Sequence, residues 1–164
     1  MGYPFYISID GQKQGNFTGG ENGKSHANKI AGVRFFSETV APRDAATGHA
    51  SGKRIHKPIL FTKEWDRSSP LLFQALVTNE TLKSVLFEFV RADDATGEEE
   101  VHFRVKLTNA SIASMKSYLD LTDASGDSYD AHELEDLELT FQKIELEDLD
   151  GKTTAVDDWS KAVA

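Results

Sequence analysis

Apolar and polar residues alternate with a period of two through most of this chain, the pattern of strands that put one face into a core and the other into water. Phe5, Ile7 and Ile9 alternate with Tyr6, Ser8 and Asp10, and residues 11–15 then supply turn chemistry, which predicts a first strand. After a glycine-rich loop over 19–28, Val33 and Phe35 mark a second. Residues 82–91 present Val85, Phe87 and Phe89 on one face. Asp93, Asp94 and Gly97 then offer a hairpin turn, and over 99–109 Val101, Phe103, Val105 and Leu107 alternate with His102, Arg104, Lys106 and Thr108. Residues 110–119 continue extended with small and hydroxyl side chains, and 134–147 carries Leu137, Leu139 and Phe141, then Ile144 and Leu146. The apolar set changes parity between Phe141 and Ile144, which a one-residue bulge would explain by re-aiming the side chains.

One segment breaks the period. Ser69 is placed to cap a helix, Pro70 suits its first turn because its missing N–H is not needed there, and Leu71, Leu72, Ala75 and Leu76 form one apolar stripe. The fold class is therefore mainly β, an antiparallel structure closed as a barrel or stacked as a sandwich, with one short α-helix on its flank. A length of 164 residues with 39% hydrophobic content supports a single domain over 1–164. Within it, an extended loop is expected at about 38–57 and a C-terminal tail at about 150–164.

No run approaches the roughly 18 apolar residues of a membrane span, so no membrane insertion is expected. The opening MGYPFYISIDG lacks the basic start and apolar centre of a cleavable signal. The chain has no cysteine, which removes disulfides, thiolate metal sites and cysteine nucleophiles. A net charge of −9 argues against nucleic-acid binding. That charge is uneven: residues 1–82 hold ten Lys and Arg against seven Asp and Glu (+3), and residues 83–164 hold eight against twenty (−12). A positive part of one copy could thus meet a negative part of another; the other reading is a solvated acidic surface.

Several motifs begin and fail. Gly23, Lys24 and Ser25 match the end of a phosphate-binding loop, but its opening glycine would fall at Thr18. Asp148, Asp150, Gly151 and Thr153 resemble an aspartate nucleophile motif, yet too little chain follows to build the parallel sheet that presents one, and Asp-Gly turn chemistry accounts for them equally well. His132 and Glu133 would open a zinc-protease signature if position 136 were not Asp136. The five histidines, His26, His49, His56, His102 and His132, have no close ligand spacing. The acidic tract Asp123 to Asp136 departs from the spacing of a calcium loop, and the triplets at Asn16, Asn79 and Asn109 matter only in a eukaryotic secretory pathway. No catalytic constellation, metal site or cofactor site is expected.

Residues 40–63 combine a proline, two glycines and a His-Lys-Pro strand start, and a long exposed loop inside a compact domain is usually there to bind something. The stretch GHASGKRIHKPILFT followed by SSPLLFQAL closely resembles the hemolysin-coregulated protein family, the tube-forming component of bacterial type VI secretion systems. YISIDGQKQGNFTGG, LTNASI at 107–112, and Asp157, Asp158 and Trp159 extend the resemblance across the chain in family order. The resemblance implies a small two-sheet β-barrel with one flanking helix, assembled into a hexameric ring with a central lumen. Such rings stack into a tube, which is pushed out with a spike protein of the valine-glycine repeat family. It further implies effectors carried in the lumen, sheath components as partners, residence in the bacterial cytoplasm before firing, and secretion without a cleavable signal peptide. No reaction is catalysed in that role.

A ring needs one face of each subunit to meet a different face of the next, and stacking needs an element that leaves the ring plane. The best candidate for stacking is the loop from Val40 to Lys57, with Pro42, Gly48 and Gly52 shaping it and Arg43, Lys53 and Arg54 available for carboxylates above or below. The alternatives are a monomeric β-sandwich module binding carbohydrate or protein, and a metal-dependent hydrolase, which predicts stoichiometric bound metal.

Overall fold

The computed structural model describes residues 4–20, 26–124 and 128–160. The chain forms, in order, β1 (Phe5–Gly11), β2 (Gly15–Asn16), β3 (Ile30–Gly32), β4 (Arg34–Phe36), β5 (Thr39–Val40), β6 (Ile55–His56), β7 (Ile59–Glu64), α1 (Ser69–Val77), β8 (Leu82–Ala92), β9 (Glu99–Ala124), β10 (Ser128–Thr140), β11 (Lys143–Asp148) and β12 (Thr153–Asp158). The main sheet has the order β2-β1-β8-β9-β10-β7-β4, with β3 on β1, and β11 and β12 continuing from β9. The pairings within it are antiparallel.

The hairpin expected over 82–109 forms as β8 and β9. Asp93 accepts the amide of Ala95 at 2.9 Å, Gly97 donates its amide to the Asp93 carbonyl at 2.7 Å, and Gly97 takes the left-handed φ of +71° that the turn needs. β9 is 26 residues long and changes neighbours along its length. Its first part pairs with β8 and β11, its second with β10.

Two strand expectations need correction. The second strand was placed around Val33 and Phe35, but the chain changes partner there: Ile30–Gly32 pairs with β1, Arg34–Phe36 pairs with β7, and Val33 between them is 41% exposed. At this crossing a Cβ on Gly32 would lie 2.1 Å from the Phe5 ring, so only glycine lets the two strands approach. The parity change near Phe141 is not a bulge within one strand. β10 ends at Thr140 and β11 starts at Lys143, and the Gln142 amide reaches the carbonyls of both Thr108 and Asn109 at 3.2 Å. The chain steps from one part of β9 to another; a bulge does occur nearby, where the β10–β9 register shifts between Glu138 and Leu139.

The core gathers Phe5, Ile7, Ile30, Phe61, Leu72, Phe87, Leu107, Leu137 and Leu139, all but fully buried. Helix α1 contributes Leu72 and Ala75, with Leu71 and Leu76 partly buried against the same cluster. Its cap also differs from expectation. Ser68, not Ser69, occupies the N-cap position, and no side chain there caps the helix, while Pro70 does sit in the first turn. The Ser69 hydroxyl is drawn away by a buried charge: it receives Lys63 Nζ at 3.1 Å and donates to Glu135 Oε1 at 2.7 Å. Lys63 and Glu135 are 0% and 1% exposed and lie 2.5 Å apart, directly opposite one another in the β7–β10 register.

Candidate functional site

The stretch from Val40 to Lys57 folds as an arm rather than an open loop. Thr39 and Val40 pair with His56 and Ile55, and Arg43 and Ala50 form a further bridge. At the tip Asp44 organises a tight turn: its carboxylate accepts the amides of Ala46 and Thr47 at 2.8 and 3.1 Å, which holds its pKa below the usual carboxylate value. Gly48 completes the turn with φ +75° and donates its amide to the Asp44 carbonyl. Ser51 donates to the Pro42 carbonyl, and Gly52 lies beside the Pro42 ring. Arg43 and Lys53 are exposed along the arm.

Among the described residues no strand of the larger sheet pairs with β5 or β6. Side chains at the base hold the arm instead. Arg54 donates from Nε to Asp157 Oδ2, in a close contact, and from a terminal nitrogen to the Asp158 carbonyl at 3.0 Å. His56 Nε2 lies 2.6 Å from the same Asp157 oxygen, and its ring meets Trp159 at 5.0 Å and Phe141 at 5.4 Å. Of the three arm cations singled out from sequence, Arg54 is therefore turned inward to its own chain, while Arg43 and Lys53 face solvent.

The hydrogen bonds from Arg54 and then His56 draw the Asp157 pKa down from 3.8 to about 2. A depressed carboxylate pKa contributes stability that is present above the unfolded value and lost as pH falls through the folded one. The anchor should therefore hold at neutral pH and loosen as the pH drops from about 4 towards 2. An acid titration of Trp159 fluorescence, with the Asp157→Asn variant as reference, should show a transition in that window in the wild type that is absent from the variant.

The remaining motifs come to rest in structural roles or outside the described residues. Gly23, Lys24 and Ser25 lie outside them, as do residues 125–127 of the acidic tract. Asp136 accepts the Thr62 hydroxyl at 2.6 Å and the Tyr118 hydroxyl at 3.2 Å. Asp148 accepts the Asp150 amide in a turn, and Asp150 pairs with Arg91. Among the described residues no three His, Asp or Glu side chains gather as metal ligands.

Sequence reasoning missed the Lys63–Glu135 pair and the role of Asp157. A signal for the first was present: the alternation Ile59, Phe61, Lys63 puts the lysine on the core face, and Glu135, Leu137, Leu139 does the same for the glutamate. Asp157 carried no such signal, because its partners lie more than a hundred positions away.

Comparison with known proteins decides the family. The family model described as "Type VI secretion system effector, Hcp" matches residues 6–147. The chain belongs to the Hcp family. It is 34% identical over 173 aligned positions to the "Major exported protein" of Pseudomonas aeruginosa, covering 100% of this chain and 99% of that one. Among solved structures it resembles a double mutant of the Hcp1 protein from E. coli EAEC 042, with TM-score 0.81 and 32% identity over 96% of this chain and 99% of that one. It also resembles the secreted protein Hcp3 from Pseudomonas aeruginosa, with TM-score 0.76 and 30% identity over 95% and 99% of the two chains. Hcp proteins are structural, secreted tube proteins of type VI secretion and not a family of enzymes.

Proposed function

We propose that this Hcp chain is the subunit of a hexameric ring, that the rings stack into the tube of a type VI secretion system, and that the arm over Val40 to Lys57 makes the ring-to-ring contact. The observation that carries the stacking role is an ordered arm, fixed at its base, whose stretch from Arg43 to Lys53 is exposed throughout. A protrusion held in one direction with cations along it suits a contact with carboxylates of a neighbouring copy. A two-sheet barrel is supported by the crossing at Val33, where consecutive residues pair first with β1 and then with β7, strands far apart in the sheet order.

In this reading the tube leaves with a spike protein of the valine-glycine repeat family, shelters effectors in its lumen and works within sheath components. It waits in the bacterial cytoplasm and is then exported, and the exported relative supports the second step. Light scattering and face-on micrographs of the purified protein test ring formation. Annular particles several times the monomer mass support it, whereas a monomer that persists at high concentration favours a solitary β-sandwich binding module.

The stacking role has its own test. Arg43→Glu with Lys53→Glu should leave rings intact while tube growth and export fall roughly tenfold or more, the penalty of like charges brought into contact. Arg54 is kept out of this variant because it serves the anchor. If the rings dissolve, the arm belongs to the lateral contact instead.

A further inference from the structure

The arm is a short two-stranded hairpin with no ladder among the described residues joining it to the main sheet, and such a hairpin is marginal in water when it stands alone. What gives it a direction must therefore be the side chains at its base. Those side chains converge on one carboxylate. Arg54 Nε and His56 Nε2 both end on Asp157 Oδ2, and a second Arg54 nitrogen reaches the carbonyl of the next residue. The carboxylate is itself well placed. Asp157 stands opposite Ile144 in the β11–β12 register, and Ile144 is 8% exposed at the rim of the core. The His56 ring also meets Trp159, one residue beyond β12, at 5.0 Å and Phe141 edge-on at 5.4 Å.

We infer that Asp157 is the positioning residue of the stacking arm, so that β12, the last strand of the chain, is a working part of the ring-to-ring contact although it lies a hundred residues from the arm in sequence. This rests on the stacking role proposed above for the arm. The physical reason is geometric. A hairpin tethered only at its two strand ends pivots about them, and two hydrogen bonds from separate side chains to one fixed oxygen remove that pivot. Asp157 touches the arm's base and not its tip, so its removal should change where the arm points rather than what the arm presents.

The test uses the full chain. In Asp157→Ala, amide exchange over residues 39–56 should speed up by roughly tenfold or more, while exchange in β8 and β9 stays at the wild-type rate. Tube growth and export should fall with it, and rings should persist. Arg54→Ala should produce much of the same loss, and the double variant should add little, because both substitutions remove the Arg54–Asp157 contact. If arm exchange in Asp157→Ala is unchanged, the clasp is overturned whatever stacking does. If arm exchange accelerates and tubes form as in the wild type, the clasp exists but does not serve stacking and the inference is overturned, while Arg43→Glu with Lys53→Glu decides the stacking role separately. Should Asp157→Ala not form rings, Asp157→Asn keeps the shape and one acceptor oxygen: intact rings with a loosened arm support the inference, and intact rings with a wild-type arm overturn it.

Discussion

Replacing Lys63 by methionine should lower stability by about 3–5 kcal/mol, because it leaves the Glu135 carboxylate buried without its cation. Lys63 is fully buried beneath the start of α1, where its ammonium meets Glu135 at 2.5 Å, Asp66 at 2.9 Å, the Ser69 hydroxyl at 3.1 Å and the Glu64 carbonyl at 3.0 Å. Burial pushes the Asp66 carboxyl up, but the Ser68 hydroxyl and Lys63 together hold it below its usual value, so the ammonium also keeps this turn ionised. Coulomb attraction alone does not make such a pair stabilising, since desolvation opposes it. The expected signature is therefore asymmetric. Lys63→Met alone should shift the thermal midpoint by roughly 10 °C for a domain of this size, whereas Lys63→Met combined with Glu135→Leu should recover most of the loss. Urea unfolding at fixed protomer concentration measures both variants and the coupling between them. A single variant that loses less than about 1 kcal/mol would mean that water reaches Glu135 and that the pair is not a buried one.

Phe87→Ala should cost a similar amount, about 3–5 kcal/mol, through lost burial and the cavity it leaves. The position is unusual in what it joins. From β8 the Phe87 ring meets Phe35 at 5.0 Å, Phe61 at 5.6 Å and Phe5 at 6.2 Å, rings carried by β4, β7 and β1. β1 and β8 lie near one end of the sheet order and β7 and β4 at the other, so the edge-to-face contacts with Phe35 and Phe61 tie the two ends across the core. Phe87→Leu should be milder, at about 1.5 kcal/mol or less, because it keeps most of the volume. Comparing the two in urea, with ring formation followed by light scattering, separates loss of packing from loss of assembly. Phe87→Ala that unfolds no earlier than Phe87→Leu would show that the site collapses around the smaller side chain.

Much of the fold was legible because alternation is written in consecutive residues. The β8–β9 hairpin needed only its two apolar stripes and the Asp93 to Gly97 turn, and the helix needed only Pro70 and the spacing of Leu72 and Ala75. The errors share one cause. Val33 and Phe35 read as one strand, yet the chain changes partners at Val33. The parity change before Ile144 reads as a bulge, yet it is a step between two parts of β9. Ser69 reads as a helix cap, yet a buried ammonium draws its hydroxyl elsewhere. In each case the local pattern was correct and a distant neighbour chose among its meanings.

The charge pattern divides in the same way. The excess of cations in the first half and of carboxylates in the second pointed to contacts between copies. Within the fold, however, Lys29 meets Glu88, Lys63 meets Glu135 and Arg54 meets Asp157, so part of that asymmetry is resolved inside one chain. Arg43 and Lys53 keep theirs at the surface.

By itself, then, the sequence determined a mainly antiparallel β chain with one helix, a family, and an exposed loop with cations along it. Tertiary structure alone decided which strand each edge meets, which buried lysine finds which glutamate, and that the last strand holds the arm. The reason is range. Side-chain periodicity follows from backbone geometry over a few residues, while pairing across a sheet depends on complementarity between segments that sequence order does not bring together.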